Sequence, residues 1–247
     1  MTTTTRRRPA LTVTRLVAPA MLWISALYFA IVIVVFAVIG YVALVHGEGT
    51  DEPTSHAELL ANSSPRFFLG SLAIIVTSTL LAHYLPMGVT RHQLFWAGTT
   101  LILGGAAAAA AVISGLFLVE WFVLDGTSIP ITYRTPHLFD SSAQVGVIFL
   151  EHLVALAAFM ALGWLIGSVF ARYGGWGGLG LLLPCLLLGL LPEALLGVGW
   201  VGQSYGALGI EPLPMAASVP LGTAVVAVML LLNHRLMRDM PLRRPTS

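Results

Sequence analysis

Three carboxylates stand within or at the ends of long apolar runs: Glu120, Glu151 and Glu193. A carboxylate at the centre of a bilayer costs on the order of 3 kcal/mol on insertion scales, so such residues face protein or water and often mark ion or proton paths. Glu151 lies deepest, about 8 residues and therefore about 12 Å of helix rise inside its run, with His152 directly after it. Two readings of Glu151 stand side by side: a buried acid satisfied by His152, Gln144 or a neighbouring serine, and a group that takes part in transport. Glu120, near the end of its run, reads as an acid reaching outward to the headgroups, and the three acids are expected to share an outward-facing polar cavity. Glu193 follows Pro192, with Pro184 two turns earlier. The helix that carries them is therefore expected to bend.

Much other chemistry is excluded by what the chain lacks. All twelve basic residues are Arg and none is Lys, so a G-x-x-x-x-G-K-[ST] phosphate loop cannot exist here. A His-Glu-x-x-His zinc helix is also missing. Cys185 is the single cysteine and lies in an apolar run, which leaves neither an internal disulfide nor a cysteine cage for a metal. No catalytic residue, no metal site and no nucleic-acid partner are expected.

The elements that must position these acids are legible from composition. With 57% hydrophobic residues, 9% charged residues and a mean hydropathy of +0.89, too little polar surface remains to coat a soluble globule. A spanning helix needs roughly 20 apolar residues, and six stretches qualify: Pro19–Val45, Phe67–Leu85, Leu94–Val119, Ala143–Ala171, Trp176–Trp200 and Val219–Arg235. The expected fold is an all-α, six-helix membrane domain over residues 19–235. It is flanked by an N-terminal segment, 1–18, in which Pro9–Val17 can form an interfacial helix, and by a tail, 236–247. The first run begins too late and extends too far for an ordinary cleaved signal peptide, despite Arg6, Arg7 and Arg8 before it.

Every Arg except Arg66 and Arg134 falls on one side of these runs, while Glu48, Asp51, Glu52, Glu58, Asp125, Asp140 and Glu211 fall on the other. The Arg-rich side is expected to be cytoplasmic, with both termini there, as in a multi-pass protein of the bacterial cytoplasmic membrane. Asn62-Ser63-Ser64 on the opposite side matches a glycosylation sequon, a short pattern that usually occurs by chance.

Between the second and third runs lies Leu85-Pro86-Met87-Gly88-Val89-Thr90-Arg91-His92-Gln93-Leu94-Phe95. Pro86 and Gly88 stop one helix and Thr90 can cap the next. Gly88, Thr90, Arg91 and Phe95 form a Gly-x-[ST]-Arg stretch followed by an aromatic, and here the chain resembles the membrane subunit of a type-2, exporter-class ABC transporter. The resemblance implies that this connection is a coupling helix docking into a separate ATP-binding subunit, with Arg91, His92 and Gln93 as contacts and Phe95 as an anchor. ATP and Mg would belong to that partner, and the chain would not itself be an enzyme. The Gly-rich stretch Ala171–Gly178 resembles the family's next inner connection and also reads as a glycine turn in an aromatic belt. By resemblance, short re-entrant helices stand between the fifth and sixth spans, over Pro192–Trp200 and Gly206–Val219, and the transport unit is a homo- or heterodimer of permeases. Gly163-Trp-Leu-Ile-Gly167 and the smooth run Gly104–Ala111 imply close helix packing, within or between subunits. The alternative is a stand-alone proton- or ion-coupled carrier or channel built on Glu151 and His152.

Overall fold

The computed structural model describes residues 9–46, 54–124 and 132–239. Among the described residues seven helices follow one another: α1 (Pro9–His46), α2 (His56–Ser63), α3 (Pro65–Tyr84), α4 (Arg91–Leu124), α5 (Val145–Leu196), α6 (Gly199–Leu208) and α7 (Met215–Arg238). Among the described residues there is no strand, only an isolated bridge between Thr54 and Thr132. Five helical segments are long and apolar enough to cross a membrane. The Arg6–Arg8 triplet, the acids Glu48, Asp51, Glu52 and Asp125, and the tail beyond Asp239 lie outside the described residues.

The longest segment is two helices. An unbroken helix of the 52 residues of α5 would reach about 78 Å, more than twice the hydrocarbon thickness of about 30 Å. It is interrupted at Gly174, where φ is 73° and ψ is −172°, a conformation open to glycine and strained for any other residue. The chain reverses there: a side chain at Gly189 would collide with Leu162, although in a continuous helix those two positions would stand about 40 Å apart. Residues 145–173 and 175–196 therefore form an antiparallel hairpin, at the place where the sequence puts its fourth and fifth runs. Pro184 and Pro192 lie inside the second arm without ending it.

Two expectations about connections change. Pro9–Val17 is helical but continuous with the long α1 rather than a separate element. Past the hairpin there is one short helix, α6, in place of the two expected re-entrant helices. The second arm runs through Pro192 to Leu196 and ends where Gly197 adopts φ 64°. Gly209 (φ 66°) stops α6, and Pro214 is extended and caps α7, so Gly206–Val219 cannot form one helix.

The first arm of α5 is the axis of the bundle. Leu156 to Leu165 is buried without interruption, as expected of a helix surrounded by others. Its glycines set the spacing: side-chain atoms added at Gly163 would meet the Gly70 carbonyl and Ala73, and at Gly167 would meet Thr77 and Ile74. The small-residue motif thus mates α5 with α3 inside the chain. In contrast, Gly104 faces open space, and α1 is peripheral, exposing Leu22, Trp23, Leu27, Ile31 and Val34. The close approach at Gly163 predicts that Gly163→Val lowers stability by about 1–3 kcal/mol through overpacking, whereas Gly104→Ala changes it little. Thermal unfolding of the two detergent-solubilised variants checks this, and equal effects would contradict the packing assignment.

Candidate functional site

The polar residues collect at the two ends of the bundle. At one end, which carries the acids, Glu120 of α4 is 3% exposed. It accepts hydrogen bonds from Ser55 Oγ at 2.6 Å, from the His56 N–H at 2.6 Å and from the Ala57 N–H at 3.1 Å. Ser55 Oγ in turn accepts from the Glu58 N–H at 3.0 Å, capping α2. Glu120 thus sits on the positive end of a helix, where free N–H groups favour a carboxylate. It does not reach out to headgroups.

Glu58, counted from sequence only as a loop acid, is 2% exposed. It accepts from the backbone N–H groups of Arg134 and Thr135, both at 2.7 Å, and from Thr135 Oγ1 at 2.6 Å. His137, on the connection between α4 and α5, stands between Glu58 and Glu151: its Nε2 is 3.4 Å from Glu58 Oε1 and its Nδ1 is 2.7 Å from Glu151 Oε1. The Leu138 N–H adds a bond to the second Glu151 oxygen at 2.8 Å. With a carboxylate on each ring nitrogen, both nitrogens carry protons. Burial alone would push the imidazole down, but hydrogen bonds to Glu151 and Glu58 and their charges outweigh it and hold His137 at about 9.

Glu193 takes a different cation. Arg66 Nη1 donates to its Oε1 at 2.8 Å, the Trp200 N–H donates to the same oxygen at 2.9 Å, and the guanidinium lies over the rings of Phe159 and Trp200. Arg66 Nη2 also donates to Asn62 Oδ1 at 2.9 Å, and Asn62 Nδ2 donates to Thr135 Oγ1 at 2.9 Å. The sequon asparagine is therefore an internal link between the Arg66 pair and the Glu58 cluster.

The expected partnership of Glu151 with His152 is not formed. Adjacent residues on a helix point about 100° apart. His152 bonds instead to the Ile148 carbonyl of its own helix at 2.8 Å and packs on Phe117. Nor do Glu120, Glu151 and Glu193 share an open cavity: each is enclosed and bonded to its own donors. His137, Glu58 and Thr135 carried no motif in the sequence, and Asn62 carried only the glycosylation sequon, which pointed outward rather than to this network. Arg66 carried a signal, as one of two arginines on the acidic side, and Glu193 accounts for its position.

At the opposite end lie Arg91, Arg172, Arg235 and Arg238. Arg172 Nη1 donates to the Leu236 carbonyl at 3.2 Å and stands 4.0 Å from Asp239. The elbow is a tight turn over 85–90, with Gly88 at φ 82°, and no separate coupling helix lies between α3 and α4. Thr90 and Gln93 cap α4 reciprocally: the Thr90 N–H donates to Gln93 Oε1 at 3.1 Å, and the Gln93 N–H donates to Thr90 Oγ1 at 3.3 Å. Gln93 is thus used internally, while His92 is exposed and Arg91 half-buried. Phe95 is buried, stacked on Trp164 at 5.6 Å and against His234 at 4.6 Å. It ties the elbow to the axis of the bundle.

Comparison of the chain with protein-family models, with curated proteins and with solved structures yields no match.

Two outcomes follow from the buried charges. His137 sits above its ordinary 6.5 at about 9, so its contribution to stability is complete below about pH 6.5 and is lost as pH rises through about 9, amounting to about 3 kcal/mol. Thermal midpoints measured from neutral to alkaline pH should fall for the native chain and stay flatter for His137→Gln; parallel profiles would refute the bridge. Arg66→Met should cost about 3–5 kcal/mol by stranding Glu193, and adding Glu193→Gln should restore much of it. A double-mutant cycle in detergent reads this coupling, and strictly additive losses would mean the pair contributes nothing.

Proposed function

We propose that this chain is the membrane-spanning subunit of an ATP-driven, exporter-class ABC transporter of the bacterial cytoplasmic membrane. It crosses the bilayer six times, counting the two arms of α5 separately, with the basic end and both termini in the cytoplasm. The observation that carries this reading is the elbow from Leu85 to Phe95: a reciprocally capped turn at the basic end whose aromatic anchor is stacked on Trp164, in the bundle axis. Displacement of such a turn by a docked partner passes directly into packed helices, because a close-packed interior transmits strain.

Two further features support the assignment. With no lysine in the chain, the energy source is a separate ATPase subunit holding ATP and Mg. The acids that could have run an ion-coupled carrier are locked into bonds, and Glu151 and His152 do not pair, so the carrier reading has less support. Between α1 and α4 lies an apolar cavity of about 440 Å³, bordered by Met21, Phe29, Leu69, Leu101, Gly104 and Val112, which suits a lipid-like or drug-like cargo. A second permease completes the transport unit.

The test is co-purification from native membranes. The chain should retain an ATPase subunit, and Arg91→Glu should reduce that retention about tenfold or more, as loss of a charge-assisted contact does, without changing the unfolding profile of the membrane bundle. Undiminished retention by the variant would remove the elbow from the coupling role.

A further inference from the structure

The basic end contains a second cavity, which shares Arg91 and His92 with the elbow and adds His234 and Arg238 of α7, which the coupling reading does not use. It measures about 530 Å³ and opens between the elbow and the last turn of α7, with Leu85, Val89 and Thr90 on one wall and Arg91, His92, His234 and Arg238 around it. None of these lining residues is acidic. Asp239, the acid that follows Arg238, is exposed and stands towards Arg172 instead. His234 and Arg238 are one helical turn apart, so they share the face of α7 that looks at the first turn of α4. That first turn adds the positive end of a helix dipole to the same space.

Donor geometry agrees with the charge. Trp96 Nε1 donates to His92 Nε2 at 3.1 Å, which leaves the His92 proton on Nδ1 as a donor. His234 is fixed by its packing on Phe95. Two guanidinium groups and two imidazoles thus border a space of small-molecule size, and Leu85 and Val89 give it an apolar wall. The cleft lies where α3 ends and α4 begins, at the shared end of two helices long and apolar enough to span a membrane, and the end of a span meets the headgroups. A basic pocket between helices at this depth, with an apolar flank, has the chemistry of a lipid phosphate site.

We infer that this cleft binds the phosphate of an anionic phospholipid in the leaflet at the basic end, with Arg91 and Arg238 on the phosphate oxygens and Leu85 and Val89 against the glycerol and first acyl carbons. The site is independent of the transport assignment, since it needs only this chain and a bilayer. An acidic segment of a partner protein is the competing occupant; the apolar wall of Leu85 and Val89 favours the lipid.

The experiment uses the purified full chain in detergent, without any partner, titrated with phosphatidylglycerol or phosphatidylcholine of identical acyl chains and read by native mass spectrometry. The anionic lipid should bind more tightly. Arg91→Gln and Arg238→Gln should each weaken it on the order of fivefold, with phosphatidylcholine unaffected. Arg235→Gln, one turn of charge outside the cleft, should leave both unchanged. Arg238 is exposed, so its variant tests the site without touching the elbow. Equal binding of the two lipids, or unaltered phosphatidylglycerol binding in Arg238→Gln, would overturn the site. Displacement of the lipid by glycerol phosphate at equal concentration would overturn the lipid assignment in favour of a soluble phosphate. Loss of ATPase retention in Arg238→Gln with lipid binding intact would assign the cleft to the partner protein.

Discussion

Four carboxyl groups, those of Glu58, Glu120, Glu151 and Glu193, are buried at one end of the bundle, and the arrangement of that end is the solution to satisfying them. A carboxylate taken out of water loses several kcal/mol of solvation, which only close cations and well-aimed N–H groups restore. His137 lies between Glu58 and Glu151, Arg66 neutralises Glu193, and the first turn of α2 receives Glu120. Each partner comes from a different element. Satisfying the charges therefore fixes α2, α3, α4, both arms of α5, α6 and the connection over 132–144 relative to one another. Asn62 and Thr135 join the His137 cluster to the Arg66 pair, so the bonds form one network rather than isolated pairs. Such networks are costly when partly broken, because each stranded group keeps its desolvation penalty.

Between the ends the helices are held by shape. No hydrophobic drive separates one apolar helix from lipid, so close contact between backbones must supply the attraction. Gly163 and Gly167 provide it on α5 facing α3, Gly189 lets the hairpin close on Leu162, and Gly222 admits Val154 between α5 and α7. The reversal at Gly174 makes that geometry available. A non-glycine residue at φ 73° would be strained, and a continuous rod of this length would leave its far half outside the bundle.

Much of this architecture was legible in composition. The apolar runs marked the long helices because a bilayer demands a minimum length, and Gly88 with Thr90 marked the elbow because turn and cap chemistry are local. Gly163 and Gly167 announced a close contact, although not its partner. The polar network was much less legible. Glu151 and His152 are neighbours in the chain but diverge on a helix, while His137, fourteen positions earlier, returns to Glu151 only through the fold of the 132–144 connection. Glu58 looked like any loop acid until α2 folded under that connection. Arg66 broke the charge rule, and a cation on the acidic side of a membrane protein is a reason to look for a buried acid. The region after the hairpin differs from the re-entrant pair that the family resemblance implies over Pro192–Trp200 and Gly206–Val219, and Pro192 does not mark a helix boundary. Its helix in fact passes it and stops at Gly197, whose positive φ ends the helix more decisively than the missing proline donor does.

The two ends consequently differ in how they are held together. At the acidic end, displacement of any one helix strains charge-assisted bonds in an enclosed, weakly polarisable environment, where they are strongest. At the basic end, Arg172 has one bond to the Leu236 carbonyl and a 4.0 Å approach to the exposed Asp239, a surface pair of small energetic value. A cavity of about 530 Å³ separates the elbow from the last turn of α7. Among the described residues, the strong buried ion pairs thus belong to the acidic end, while the elbow is held mainly by its capping bonds and by aromatic packing. Phe95, packed against Trp164 and His234, links the start of α4 to both α5 and α7. The two ends thus differ through one distribution of charge, with buried opposite charges at one end and exposed or half-buried arginines at the other.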